Sequence, residues 1–462
     1  MYHVNHPLQR QLIALIPKTL DEATILNVDT VLSPWYARHG IQRLHTLLSS
    51  SKRSRVHDLI ASHAAYYGHV NVLEELFDGF PRMFISHHLL EWTARSGQLK
   101  AIQFLHEQHP LHGRPSSTLS ALDYAATNGH LDAVVWLHNN RADGASVHAM
   151  NGAARNGHLN ILEWLEIHTR GGWTNLAVDD AASNGHLEVV QWLHARRPDA
   201  ISHATIERAA QNGHLVILQW LFSKFSVGCS PGAMDKAAAN GHVAVVEWLH
   251  SNGHDCSTNA MDSAAENGHV HVLEWLRIHR SEGCTTEAVH RAAQNGHVLV
   301  LQWLLDNMQV GLHEWNVAGM LEVAASNGHL AVAQWLEERM GVNLTEQDYA
   351  VAITCAAANR HLEFLRWMHG KPGWAKANVD GAVVHDHSET LKWLLENHIM
   401  KASTTNEAAE ARHQDSMERL NGKASSKTLV GTLGIAHEEE TQADLHELSL
   451  SSNSPAPTCT VQ

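Results

Sequence analysis

The chain has 462 residues, with 33 Lys and Arg against 48 Asp and Glu, a net charge of −15 with His neutral. That balance excludes a surface built to read nucleic-acid phosphates or a polybasic membrane patch, and it favours partners with basic faces. Five cysteines in this length make no disulfide framework, which sets a reducing compartment, cytoplasmic or nuclear, as the expectation.

Residues 1–33 read as a lead segment. Its short apolar run, Leu12 to Pro17, is followed closely by Asp21 and Glu22, which fits neither a secretory apolar core nor an Arg-rich transit peptide. No run of about 18 apolar residues occurs anywhere, so no membrane-spanning helix is expected. Lys52-Arg53-Ser54-Arg55 is a small basic cluster, too short for more than a solvated loop or a weak nuclear signal.

Residues 34–398 carry an internal repeat of the form Ala-Ala-x-Asn-Gly-His-Leu-x-Val-Val-x-Trp-Leu. Its glycine falls at 129, 157, 185, 213, 241, 268 and 296, a period of 28 and once 27. Looser copies centre on Gly40, Gly68, Gly97, Gly328, Arg360 and Asp386, for about twelve repeats in all.

Each copy reads as two helices. A hydroxyl residue stands seven positions before the first alanine, at Ser86, Thr118, Ser146, Thr174, Ser202, Ser230, Ser257 and Thr285, where its oxygen can cap a helix start. The first helix runs from this cap to Asn-Gly, where glycine supplies a left-handed stop, and the second begins at His. In the first helix, Val178, Ala181 and Ala182 follow i, i+3, i+4 spacing, and the alanines admit a close neighbour.

In the second, Leu187, Val189, Val190, Trp192 and Leu193 spread over more than half the circumference and leave Glu188 and Gln191 outside. A pair this apolar must be covered by its siblings on either side, which predicts an all-α solenoid. Trp recurs seven residues after each motif glycine, from Trp136 to Trp393, and is expected in the core.

The Ala-Ala-x-x-Gly-His-x-x-Val-Val-x-x-Leu core resembles the ankyrin repeat over residues 34–398. The period is shorter than that family's usual 33 or so. Thr-Pro-Leu-His and Gly-Ala-Asp-x-Asn are missing, and Trp stands where Leu is usual. The resemblance implies an ankyrin-like helical solenoid with tight loops, a concave groove lined by first helices for protein binding, and no reaction.

Thirty-nine histidines raise a metal-binding alternative. Pairs such as His130 with His138 lie two helical turns apart, and equivalent His residues of stacked repeats lie about 10 Å apart, too far to share an ion with bonds of about 2 Å. Structural roles, capping or inter-repeat hydrogen bonding, are expected instead, with no metal and no cofactor. Cys229, Cys256 and Cys284 share one repeat position and read as small packing residues.

The row offered as a partner-binding surface lies two residues before the alanine pair: Asp123, Asn151, Asp179, Glu207, Asp235, Asp262 and His290, with Arg208, Lys236 and Arg291 beside it. A mostly acidic row suits a basic peptide or helix, and a solvated helix face is the competing reading.

Residues 399–462 turn Ser-, Thr- and acid-rich and lose periodicity, which reads as a disordered tail. Its last four residues, Cys459-Thr460-Val461-Gln462, match the prenylation pattern, although the acidic residues Glu438 to Glu440 and the missing second lipid signal leave at most a weak tether. No phosphate loop, nucleophile elbow or zincin helix is present. The sequence therefore reads as a non-enzymatic, monomeric protein-interaction scaffold or adaptor. A prenylated, membrane-recruited regulator and a His-rich metal binder remain alternatives.

Overall fold

The computed structural model describes residues 7–16, 20–41, 43–44, 54–79, 88–108, 121–141, 144–224, 230–308, 315–340, 344–377, 389–390 and 393–394. All of these fall in the unit Met1–Ile399. The unit Met400–Gln462, with the expected tail and Cys459, lies outside the described residues, as do Ser86, Thr118, Cys229 and Asp386. The described elements are helices, with no β-strand among the described residues.

The chain opens with the helices Pro7–Ala14 and Glu22–His39. Asp21 starts the longer one, its carboxylate accepting the Thr24 amide at 2.8 Å, and Ile25, Val28, Leu32 and Trp35 form its buried stripe. The expected boundary after residue 33 thus falls inside a continuous helix. Pro34 is carried within that helix rather than ending it, because the capped start and the buried stripe extend across it.

Eleven helix pairs follow among the described residues, from Ser54–Tyr67 with Val70–Gly79 to Glu346–Ala358 with Leu362–Met368. First helices pack on first helices of adjacent pairs and second helices on second helices, with the closer contact along the first. Composition explains the difference. Ala153, Ala154, Ala181, Ala182, Ala209 and Ala210 are fully buried between neighbouring first helices, where a methyl group is all the gap admits. In the second helix Leu187–Arg196, Val189, Val190, Trp192 and Leu193 are buried while Glu188 is exposed. No pair covers its own apolar surface, and its neighbours do.

The connection inside each pair is built by hydrogen bonds at Asn-Gly-His. Gly157, at φ +79°, donates to the Ala154 carbonyl at 3.2 Å, and His158 donates to Ala153 at 2.9 Å, the two bonds of a Schellman stop. His158 then takes φ −84° and ψ 70°, and Leu159 donates back to Gly157 at 3.0 Å, closing an inverse γ-turn that launches the next helix. His is therefore the residue at the helix start, but its side chain does not cap that helix.

It reaches the preceding repeat instead. Nε2 of His130 donates to the Arg95 carbonyl at 3.0 Å, His214 to Ser183 at 2.9 Å and His361 to Ser326 at 2.9 Å. A carbonyl only accepts, so the proton sits on Nε2. The same imidazole lies against the preceding turn: a Cβ added to Gly185 would stand 2.8 Å from Cε1 of His214. Glycine is required there for its backbone angle and for the room it leaves.

Arg360 stands where this glycine is lost and still adopts φ 70°, as does no other non-glycine among the described residues. That conformation costs a residue with a Cβ roughly 1–2 kcal/mol, of which glycine's extra chain entropy returns about half. Arg360→Gly is expected to stabilise the last pair by about 0.5–1 kcal/mol. The readout is slower hydrogen exchange of amides in Glu346–Ala358; faster exchange would show that the arginine side chain outweighs its backbone.

The turn histidines also set a pH dependence. Burial holds His158, His242 and His269 below the ordinary value of 6.5, with neighbouring imidazoles acting in the same direction. The unfolded chain then takes up protons first, so this contribution to stability is complete above about pH 6.5 and is lost as pH falls through the lower folded values. Melting temperature should drop between pH 7 and pH 5, and a flat profile would contradict the assignment.

Candidate interaction face

The proposed row sits on the first helices, and the structure shows what its side chains do. Asp123 is 1% exposed, and its two carboxylate oxygens accept the Ser146 backbone N–H at 2.9 Å and the Ser146 hydroxyl at 2.7 Å. Asp235 does the same to Ser257 at 2.8 and 2.6 Å, and Asp262 to Thr285 at 2.8 and 2.7 Å. In each case the acid of one repeat holds the hydroxyl residue that opens the next first helix.

That hydroxyl has a double role. Ser146 Oγ donates to Asp123 and also accepts the His148 amide at 3.1 Å, while Ser257 and Thr285 accept from Asn259 and Glu287 at the same distance. Ser146, Ser257 and Thr285 are therefore links between repeats as well as caps, whereas Thr174 and Ser230 begin their helices without a side-chain capping bond. Two joints vary the theme. Asn151 accepts the Thr174 amide at 3.0 Å and donates to the Thr174 hydroxyl at 2.9 Å. Asp179 receives the Thr205 hydroxyl at 2.6 Å, and Thr205 in turn accepts the Ser202 amide at 3.2 Å.

The carboxylates of Asp123, Asp179 and Asp262 are thus buried and occupied within the stack. Glu207 is partly open: it accepts from Ser230 Oγ at 2.7 Å and Lys236 Nζ at 2.5 Å, and these two bonds hold its carboxyl below the usual range. Beside it, Arg208 and Arg155 both reach Asp180, at 3.2 and 2.6 Å, and Arg291 pairs with Glu266 at 3.0 Å and Glu287 at 3.2 Å. The members of the expected site that keep some exposure are Asn151, Glu207, Arg208, Asp235, Lys236, His290 and Arg291; of these, Glu207, Arg208, Lys236 and Arg291 form a strip of mixed sign whose charges bridge neighbouring repeats.

The opposite side is aromatic. Trp192, Trp303 and Trp335 are buried as expected, but Trp136, Trp164, Trp220, Trp248, Trp275, Trp367 and Trp393 are only partly covered. The first five of these pack against a ring of the preceding second helix, with centroids 5.2 to 5.5 Å apart: His106, His138, His194, Phe222 and His250. At these positions the indole lies across the seam between second helices with part of its surface in water. Trp303 and Trp335 direct Nε1–H to Glu274 at 2.8 Å and Gln302 at 3.0 Å of the previous repeat.

Cys256, Cys284 and Cys355 are free thiols. Burial pushes the Cys256 and Cys284 thiols up to about 11, which keeps them protonated and unreactive at neutral pH. Among the described residues, no group of three His, Cys, Asp or Glu is placed to hold a metal ion, and no helix is long and apolar enough to cross a membrane. Cys459 lies outside the described residues.

This geometry meets an independent match. Family models described as ankyrin repeats fit residues 87–138, 122–166, 206–250 and 234–277, and a three-copy ankyrin model fits residues 261–348. The chain belongs to the ankyrin-repeat family. No curated protein matches it. Ankyrin repeats are generally protein–protein interaction modules and typically lack enzymatic activity.

In this ankyrin-repeat chain the acid-to-hydroxyl joint makes a specific demand. Asp262→Ala leaves the Thr285 amide and hydroxyl without their charged acceptor and is expected to cost about 1.5–3 kcal/mol. Thr285→Ala added to it should cost much less than it does alone, because the two substitutions remove one shared interaction. Additive losses in urea titrations of the four-protein cycle would show that the two residues act independently.

Proposed function

We propose that this chain is an interaction scaffold whose first-helix side receives a protein partner along the mixed-charge strip. The carrying observation is that Glu207, Arg208, Lys236 and Arg291 stay accessible while being held in register by ion pairs to adjacent repeats. A strip fixed in this way presents charge at regular intervals with little ordering left to do on binding. Its signs select orientation and partner more than they add affinity. The net charge of −15 biases encounter towards partners with basic faces.

The test exchanges charges without breaking the pairs that hold them. Glu207→Lys with Lys236→Glu keeps the bridge between these two repeats and the net charge but reverses the outward pattern there. Stability should stay within about 1 kcal/mol of the parent, since exposed pairs contribute little. Proximity labelling in cells, normalised to expression, should then lose the proteins captured by the parent array by about tenfold, a change of 1.4 kcal/mol. An unchanged set of labelled proteins would remove this strip from the binding surface.

A further inference from the structure

The Asn-Gly dipeptide that ends each first helix is also the most deamidation-prone pair in protein chemistry, because glycine lets its backbone nitrogen approach the preceding carboxamide. The chain repeats it at Asn128, Asn156, Asn184, Asn212, Asn240, Asn267, Asn295 and Asn327, and once more at Asn252. Asn151–Gly152 sits inside the helix Val147–Arg155, and Asn421–Gly422 lies outside the described residues.

The eight turn sites are protected from two directions. Their carboxamides are tied back: Asn184 donates to the Asp180 carbonyl at 2.8 Å, and Asn240 to Lys236 at 2.9 Å. Several are also tied to the preceding repeat, as Asn156 is to the Thr127 carbonyl at 2.6 Å, Asn267 to Ala239 at 2.9 Å and Asn295 to Glu266 at 3.0 Å. The next repeat's imidazole presses on the glycine: a Cβ at Gly241 would lie 2.9 Å from His269, and one at Gly268 equally close to His297. Rearranging such a turn means parting two repeats.

Asn252 and Gly253 have the same local geometry without that cover. They end the second helix Val243–Ser251, with Gly253 at φ +76°, and both are exposed. The carboxamide is held by one bond to its own helix, to the Trp248 carbonyl at 2.7 Å. Space around Gly253 is open, with no atom within 4 Å of where a Cβ would stand. Fraying of one helical turn frees the side chain, and such local opening takes far less free energy than separating repeats.

We infer that, among the described residues, Asn252 is the site of spontaneous modification in the folded chain, with water as the co-reactant. The Gly253 amide nitrogen loses its proton and bonds to Asn252 Cγ, and ammonia leaves to give a succinimide. Water then adds to either ring carbonyl, yielding aspartate or isoaspartate; the net change is one water consumed and one ammonia released. Either product places a negative charge at a helix C-terminus, which the helix dipole disfavours. Isoaspartate also lengthens the backbone by one carbon, which the Schellman bonds from Gly253 to His250 at 2.9 Å and from His254 to Leu249 at 3.1 Å do not accommodate.

The consequence reaches the next joint. His254 packs on Phe222 with centroids 4.8 Å apart, Asp255 pairs with Arg280 at 3.1 Å, and two residues on Ser257 is held by Asp235. Conversion of Asn252 therefore loosens the link between the pairs on either side of it, once and irreversibly.

The full chain is incubated at pH 7.4 and 37 °C, in buffer and in denaturing urea, and mapped by mass spectrometry that separates aspartate from isoaspartate. In buffer Asn252 should convert at least about tenfold faster than Asn240 and Asn267, the ratio set by 1.4 kcal/mol of extra opening free energy. In urea the three rates should converge. Asn252→Gln, which disfavours ring closure, should preserve the melting temperature that the parent loses on ageing. Equal rates for the three sites in buffer, or ageing of Asn252→Gln at the parent's pace, would overturn the inference.

Discussion

The structure depends on the joint between one repeat and the next. On the first-helix side an acid such as Asp123 or Asp262 takes two hydrogen bonds from the hydroxyl residue that begins the following helix. At the turn, a His of the following repeat gives its Nε2 proton to a carbonyl of the preceding one while resting on its glycine. On the second-helix side an indole lies against the preceding ring. Three chemically distinct contacts thus fix one translation, and repeating it extends the stack.

The constraint explains why the sequence is monotonous where it is. Asn-Gly-His recurs because it serves two neighbours at once: glycine must turn its own helix and admit the next imidazole, and no residue with a side chain does both. The alanine pair recurs because first helices nearly touch. Variation collects where no neighbour reaches, as at Glu188, Val216 and Leu299 on the exposed side of the second helices.

Much of this is legible in the residues. The two helices of each unit, the left-handed turn and the need for stacking follow from apolar spacing and Asn-Gly alone. What those signals do not reveal is pairing between positions 22 or 23 apart, because a hydrogen bond between repeats needs the translation that stacks them. The row of Asp123, Asp179 and Asp262 therefore reads as a polar face, whereas each carboxylate is turned inward to a neighbour's helix start. The clue was present in the constant phase of the hydroxyl residues. Tryptophan misleads in the other direction: its regularity suggests the centre of a core, while seven of the ten repeat indoles are only partly covered. The length of the helix Glu22–His39 escapes notice because the repeat marks only its end, at Gly40, and Pro34 looks like punctuation.

One joint differs from its siblings in the kind of bond that closes it. The seams at Asp123, Asp235 and Asp262 each rest on an acid that accepts twice from the next helix start, whereas Asn151 links to Thr174 through an amide that accepts on one side and donates on the other. Hydrogen bonds to a charged acceptor are roughly twice as strong as neutral ones. The column is therefore unevenly fastened, with a neutral clasp between Val147–Arg155 and Asn175–Ser183 where its siblings use a charged one.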